Sequence, residues 1–329
     1  MQQVRTNFQV NGLLANCHVQ SMLASSKLRK RLHRNKHLEL INHQVDVILN
    51  AGNDIRLHCL YSENHQNKCN KNKLVILIHG WEGSAESTYL LSAASVLYNA
   101  GFSVIRLHLR DHGPSLHLNT ELFHAARLDE VLKSLQDIQD RFDYNETYLV
   151  GFSLGGNFAL RVRDEAKNFA LELNHIVAIS PVISPVQTMS ALENGAAIYR
   201  QYFLRKWKRA LQIKAKHFPD IYDFNALLES RNLSDMTNIL ITTHTPFNTV
   251  QEYFNSYTLQ ANRIKQSDIK TDVILAADDP VIPINGSSDF FSTDAFKLRI
   301  FDHGGHCGFI ENWRLGSWVD QELLRLFSP

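Results

Sequence analysis

The sequence predicts an α/β protein: a mostly parallel central sheet with helices on both faces and a helical cap insertion late in the chain. Three observations carry that expectation. From residue 44 onward, short β-branched runs alternate with longer helical patterns, the arrangement of parallel strands joined by crossover helices. One run, LVILIH at 74–79, is apolar without interruption, as a strand buried on both faces should be. The alternation then stops between Ser180 and Thr271, where aromatic, amphipathic helical segments take over.

Each element follows from its own pattern. QVDVILN (44–50) and DIRLHCLY (54–61), separated by Ala51-Gly52-Asn53, read as a hairpin at the antiparallel edge of the sheet. After LVILIH, the segment STYLLSAASVLYNAG reads as a helix closed by Gly101, and SVIRLHL (103–109) as the next strand. From Thr120 to Arg141, apolar residues at Ala125, Leu128, Val131, Leu132, Leu135 and Ile138 make a helical stripe. ETYLVG (146–151) is a strand, a helix runs on from Ser153, and HIVAIS (175–180) is a strand again. TDVILAA (271–277), FKLRIF (296–301) and a helix near 311–327 complete the pattern. IYRQYFLRKWKRALQIKAKHF and FNTVQEYFNSYTLQANRI fill the interruption, as expected of a helical cap over a site at the carboxyl ends of the strands. The chain therefore divides into an N-terminal helical extension at 1–43 and an α/β domain at 44–329, with the cap at about 184–268.

Composition narrows the function classes. With 44% apolar and 20% charged residues, the chain can bury a sizeable core. Its 34 Lys+Arg against 33 Asp+Glu leave no global field to draw nucleic acid or an anionic membrane. Cys17, Cys59, Cys69 and Cys307 form no C-x-x-C pair and read as reduced thiols. No charged segment followed by an apolar run suggests a signal peptide, and no apolar stretch approaches the ~20 residues of a spanning helix. These features predict a cytoplasmic protein. One charge run, SKLRKRLHRNKH at 26–37, has two readings: a solvated helix docked through Leu28 and Leu32, which is the plainer one, or a weak membrane-surface contact.

Gly151-Phe152-Ser153-Leu154-Gly155 is the sharpest chemical signal, because it lies where a strand ends and a helix begins. A turn that tight holds its serine in strained backbone, and the flanking glycines let neighbouring backbone come close. Ser153 is thus the candidate nucleophile, and the Leu154 N–H at the helix start the first oxyanion donor. LVILIHGWEGS offers a second donor in the Trp81 N–H, with His79 as a brace for that loop. An acid and a histidine are then expected after later strands. TDVILAADDPVIP offers Asp278 and Asp279, and the spacing to Pro280-Val281-Ile282-Pro283 favours Asp279. KLRIFDHGGHCGF offers His303 and His306, and the preceding glycines favour His306. Among 16 histidines, the others, including His108 and His112, read as solvated or structural. The cap aromatics Tyr199, Tyr202, Phe203 and Trp207 fit either an apolar substrate group or ordinary cap packing.

Together these segments resemble an α/β-hydrolase, specifically the YheT-like family of serine hydrolases with its ABHD-type animal relatives. HGWEGSAESTY, GFSLGGN, AADDPVIP and HGGHCGF are similar to that family's blocks in order, and FQVNGLLANCHVQSML to its N-terminal stretch with an HxQT pattern. FNTVQEYFNSYTL resembles its last cap helix. The loop LRDHGPS departs from the R-G-C-x-G block of many relatives, which leaves substrate preference open. The resemblance implies hydrolysis of carboxylic esters, short-to-medium acyl or lipid-like, through an acyl-enzyme on Ser153 with Asp279 and His306. No cofactor or metal is then required, and the partner is a small-molecule or lipid ester. Acyl transfer from the same acyl-enzyme and a non-catalytic binding protein of this fold are the competing readings. A metal site is disfavoured, although His108-x-x-x-His112 and His303-x-x-His306 have ligand-like spacings. Dinucleotide binding fails for want of a G-x-G-x-x-G in a first βαβ unit.

Overall fold

The computed structural model describes residues 8–65, 72–262, 267–287, 290 and 292–328. Cys69 and most of the polar stretch before the third strand lie outside the described residues, whereas Cys17, Cys59 and Cys307 are free thiols. Three helices, α1 (Cys17–Ala24), α2 (Lys27–Leu32) and α3 (Arg34–Asn42), precede the first strand. The sheet strands are β1 (Gln44–Asn50), β2 (Arg56–Ser62), β3 (Lys73–Ile78), β4 (Ser103–Leu107), β5 (Glu146–Phe152), β6 (His175–Ile179), β7 (Lys270–Ala276) and β8 (Phe296–Phe301). Their spatial order is β1-β2-β4-β3-β5-β6-β7-β8. β1–β2 and β2–β4 pair antiparallel, and every pairing from β4 to β8 is parallel. The second strand starts at Arg56 rather than Asp54, because Asn53 and Asp54 both take positive φ in the hairpin turn.

Helices α4 (Thr88–Asn99), α5 (Leu128–Arg141) and α6 (Leu154–Glu165) connect the central strands. Between β6 and β7 the chain is helical: α7 (Pro185–Asn194), α8 (Ala197–His217), α9 (Asn225–Glu229), α10 (Leu233–His244) and α11 (Val250–Tyr257). α12 (Trp318–Phe327) follows the last strand. Strand alternation splits the core between the two sheet faces. Ile76 and Ile78 pack with Val131 and Leu135 of α5 and Phe158 of α6. Val75 and Leu77 pack with Leu90 and Leu97 of α4 and with Leu323 and Phe327 of α12. All four of these β3 side chains are buried.

Three sequence expectations need correction. The helix expected over Thr120–Arg141 begins only at Leu128. Upstream of it, the carbonyls of Asn119, Glu121 and Leu122 accept from Lys214, Arg110 and Arg127. Side-chain cations thus take acceptors that a helix would use itself. The last helix begins at Trp318, since Ile310 and Ser317 first form a β-bridge. The third concerns 26–37, which forms two helices with Leu28 and Leu32 exposed.

Arg29, His33 and His37 are the buried residues of that segment, spaced four apart on one helical face. Arg29 donates to Asp320, Ser92 Oγ and the carbonyls of Ala24 and Leu315. His33 meets the Arg314 carbonyl and His37 the Ser95 hydroxyl. The body presents a polar hollow here, and a guanidinium with five donors fills it where leucine would leave acceptors unpaired.

Candidate active site

In an open α/β sheet the reactive groups gather outside the carboxyl ends of the strands, where the winding direction reverses. Here β3 lies between β4 and β5, so the loops leaving β3 and β5 open on a common crevice. The β5–α6 turn holds Ser153 at φ 55, ψ −118, a strained conformation for a residue with a side chain. Two glycines make the turn feasible. A Cβ on Gly151 would come within 2.2 Å of the Gly155 carbonyl oxygen, and one on Gly155 within 2.3 Å of the Ile78 carbonyl oxygen. The Ser153 N–H donates to Ile179 O at 2.8 Å, which ties the turn to β6.

The structure brings Ser153, His306 and Asp279 together. His306 Nε2 lies 3.0 Å from Ser153 Oγ, and its Nδ1 lies 2.8 Å from Asp279 Oδ2. The other Asp279 oxygen accepts the Val281 and Ile282 N–H groups at 2.8 and 2.9 Å, so the carboxylate is fixed on both sides. Burial opposes charge on His306, but the Asp279 carboxylate outweighs it, with Cys307 adding to the effect. The imidazole pKa therefore stands well above its ordinary value.

Asp278 and His303 stay outside this array. Asp278 Oδ1 accepts the Gly305 N–H at 2.9 Å, and its other oxygen faces His303 Nδ1 at 3.4 Å. Asp278 therefore braces the loop that carries His306.

The β3 loop presses directly against the nucleophile: a Cβ on Gly80 would lie 3.0 Å from Ser153 Cβ. The N–H groups of Trp81 and Leu154 donate to no acceptor among the described residues. The loop itself is held by a set of neutral side chains. His79 Nε2 accepts the Leu109 N–H, which leaves Nδ1–H to donate to the Gly80 carbonyl. Burial holds the His79 pKa well below the ordinary imidazole value. His112 Nε2 accepts the Glu82 N–H at 3.1 Å and His108 Nε2 the Ala85 N–H at 3.0 Å. Burial lowers their pKa values to about 4 and about 3. These two histidines are buried braces of the loop rather than solvated residues, and their ring nitrogens are already engaged. Tyr89, which sequence reasoning did not single out, accepts the Gly80 N–H at 3.0 Å.

Above Ser153 the cap and body enclose a cavity of about 100 Å³. Phe203 and Trp207 of α8 line it, and Trp81 stacks on Phe203 at 5.0 Å and 11°. The other two cap aromatics are not walls. Tyr199 OH meets His18 Nδ1 at 2.9 Å, and Tyr202 is largely exposed. Tyr253, Phe254 and Tyr257 of α11 complete the apolar lining. Asn157, the last residue of GFSLGGN, donates to the Val182 and Tyr257 carbonyls and so ties α6 to that cap helix.

The catalytic-type loop also leans on the N-terminal extension. Ser21 Oγ accepts the His306 N–H at 2.8 Å, while Gln20 accepts from Ile310 N–H and donates to Ile310 O. Sequence reasoning noticed the HVQS stretch only as a likeness. Its partners lie nearly 300 residues away, and nothing local in the sequence points to them.

Comparison with known proteins identifies the fold family. A model of the alpha/beta hydrolase fold matches residues 73–312. YheT of Escherichia coli (strain K12), a protein named for an inferred esterase activity, is 25% identical over 90% of this chain and 85% of its own. Human ABHD15 is 28% identical over 39% of this chain and 28% of its own. The esterase Pf2001 of Pyrococcus furiosus superposes with a TM-score of 0.57 at 17% identity, covering 87% of this chain and 91% of that one. A serine hydrolase of Cycloclasticus zankles, CCSP0084, gives 0.57 at 16% identity, covering 87% and 100%. The chain belongs to the alpha/beta hydrolase fold family, and within it is similar to the YheT-like proteins.

Proposed function

We propose that the protein is a serine hydrolase that cleaves carboxylic esters through an acyl-enzyme on Ser153. The observation that carries this reading is the continuous array Ser153–His306–Asp279, beside two backbone N–H groups with no acceptor among the described residues. Ser153 Oγ attacks the ester carbonyl carbon as His306 Nε2 takes its proton, and Asp279 stabilises the resulting imidazolium. The Trp81 and Leu154 N–H groups receive the negative oxygen of the tetrahedral intermediate. Collapse breaks the bond to the alkoxy oxygen, and His306 returns the proton to the departing alcohol. Water then attacks the acyl carbon, gives a proton to His306, and the acid leaves as Ser153 regains its hydrogen.

The apolar cavity above Ser153 supports an ester with a hydrocarbon acyl or alcohol group. YheT and Pf2001 both carry esterase in their names, which accords with the same chemistry. Labelling with a fluorophosphonate probe tests the reading. Wild type should label and Ser153→Ala should not, and a panel of p-nitrophenyl esters should be turned over only by the labelled protein. A folded wild type that neither labels nor hydrolyses any ester would overturn it. Products that carry an added alcohol in place of water would redirect it to acyl transfer.

A further inference from the structure

The exposed large apolar residues are not scattered evenly. Leu13, Met22, Leu28, Leu32, Leu38 and Trp313 are half of the twelve among the described residues, and five of the six belong to the N-terminal extension. At its centre, Leu28 and Leu32 sit one helical turn apart on α2, 58% and 57% exposed, because Arg29 and His33 occupy the inward positions. The loop bearing Trp313, itself 63% exposed, is bonded to the same helices at two points: Arg29 to the Leu315 carbonyl and His33 to the Arg314 carbonyl. The loop that carries this exposed indole is therefore packed against α2 and its junction with α3.

The charges on this surface have one dominant sign. Lys27, Arg31, Arg34 and Arg314 are exposed and have no ion-pair partner among the described residues. The two paired cations of α2 are engaged elsewhere, Arg29 inward with Asp320 and Lys30 with Glu86. Glu39 and Glu311 are the exposed acids nearest in sequence. Two leucines and a tryptophan among unpaired cations match the interfacial zone of an anionic bilayer. There, apolar side chains enter the acyl boundary, the indole lies at headgroup level and the cations meet lipid phosphates.

We propose that the face formed by α2, the start of α3 and the 312–315 loop is a peripheral docking surface for anionic lipid. The contact is interfacial, since no helix of the described residues is long and apolar enough to cross a membrane. Its position suits an enzyme acting on membrane-derived substrates. α2 lies against the loop that leaves β3, through Lys30 to Glu86 and Thr88 Oγ1 to the Ser26 carbonyl. The preceding helix α1 holds the loop of His306. The proposal itself does not rest on ester hydrolysis.

Vesicle co-sedimentation of the full chain tests it, with phosphatidylcholine vesicles that contain or lack phosphatidylglycerol. Wild type should pellet with the anionic vesicles, bind at least about ten-fold more weakly without phosphatidylglycerol, and be released by salt. Leu28→Gln/Leu32→Gln and, separately, Lys27→Glu/Arg31→Glu should each weaken binding by a similar factor. Both should keep the wild-type melting temperature and the wild-type turnover of a water-soluble ester. No binding by wild type, or binding that both variants retain, overturns the proposal. So does a wild-type dimer that the leucine variant dissociates, since the face would then be covered by a second copy.

Discussion

Ser21 Oγ and the backbone N–H of His306 are joined by a 2.8 Å hydrogen bond that spans 285 residues of sequence. The Ser21 hydroxyl in turn donates to the Cys17 carbonyl, so the acceptor is held by its own helix turn. Gln20 beside it clamps Ile310, on the far side of the same loop, with bonds of 2.7 and 2.9 Å. His18 reaches across to Tyr199 of the cap. One short N-terminal helix thus contacts both the loop of the proposed base and a helix of the cap.

Ser21 is accordingly a positioning residue. Removing its hydroxyl leaves the His306 N–H buried without a partner and frees the loop to shift, and small misplacements of a catalytic group are costly. Ser21→Ala is expected to lower kcat about ten-fold with little change in KM, and Ser21→Thr to restore most of it. A Ser21→Ala protein with unchanged kcat would show that the loop is held well enough without the strap. If Ser153 is not the nucleophile, fluorophosphonate labelling fails in wild type too, which separates the two outcomes.

The state of His306 dictates the pH profile. It must be neutral to take the Ser153 proton, and Asp279 holds its pKa well above 6.5 against the effect of burial. Activity should therefore rise with pH through an apparent pKa above 6.5, instead of being complete below it. Asp279→Asn removes the main force holding the proton on, so the apparent pKa should fall. The rate should fall by about 10⁴-fold as the tautomer and ring orientation are lost. A wild-type profile of kcat/KM that is flat from pH 6 to 8 would contradict this.

The array Ser153–His306–Asp279 of the candidate site was legible because each member sits at a strand end and carries a local signature. Gly151 and Gly155 mark the elbow, the run Pro280-Val281-Ile282-Pro283 follows the acid, and two glycines precede His306. The sheet was legible for the same reason, since strand periodicity is local. Side chains whose role depends on a distant partner were not. Leucine at 28 and 32 looked like a docking stripe because apolarity is visible in sequence. The hollow formed by Asp320, Ser92 and two carbonyls, which selects Arg29 instead, is not. Tyr89 escaped for that reason as well, and His108 and His112 were legible only as solvated or structural: their acceptor atoms matter only once the β3 loop lies over them.

Arg29 gives that contrast a measurable form. It pairs with Asp320 at 3.2 Å, with both side chains over 90% buried. Arg29→Ala leaves the buried Asp320 carboxylate without its cation, held by the Ser92 hydroxyl alone, and removes a donor from three other acceptors, so it should cost about 3–5 kcal/mol of unfolding free energy in urea. Leu28→Ala, one residue away but exposed, should change stability by less than about 0.5 kcal/mol. Equal losses from the two substitutions would mean that the leucine, and not the arginine, docks this helix.

Glu82 offers a test of the cap contact through stability rather than rate. The residue lies at the tip of the β3 loop with φ 54, and Lys206 of α8 donates to its main-chain carbonyl at 2.7 Å. Burial under the cap raises its carboxyl pKa from 4.5 to about 7, with Lys206 opposing that shift and Asp111 adding to it. A carboxyl that holds its proton more tightly when folded destabilises the fold as pH rises. Below 4.5 both states are protonated and nothing is lost. Between 4.5 and about 7 the unfolded chain releases a proton that the folded chain keeps, so stability declines, and above about 7 the decline is complete. Glu82→Gln has no such linkage. Its melting temperature relative to wild type should therefore climb across that window and level off above it. A difference that stays constant with pH would mean that the carboxyl is solvated and that the cap does not close over this loop.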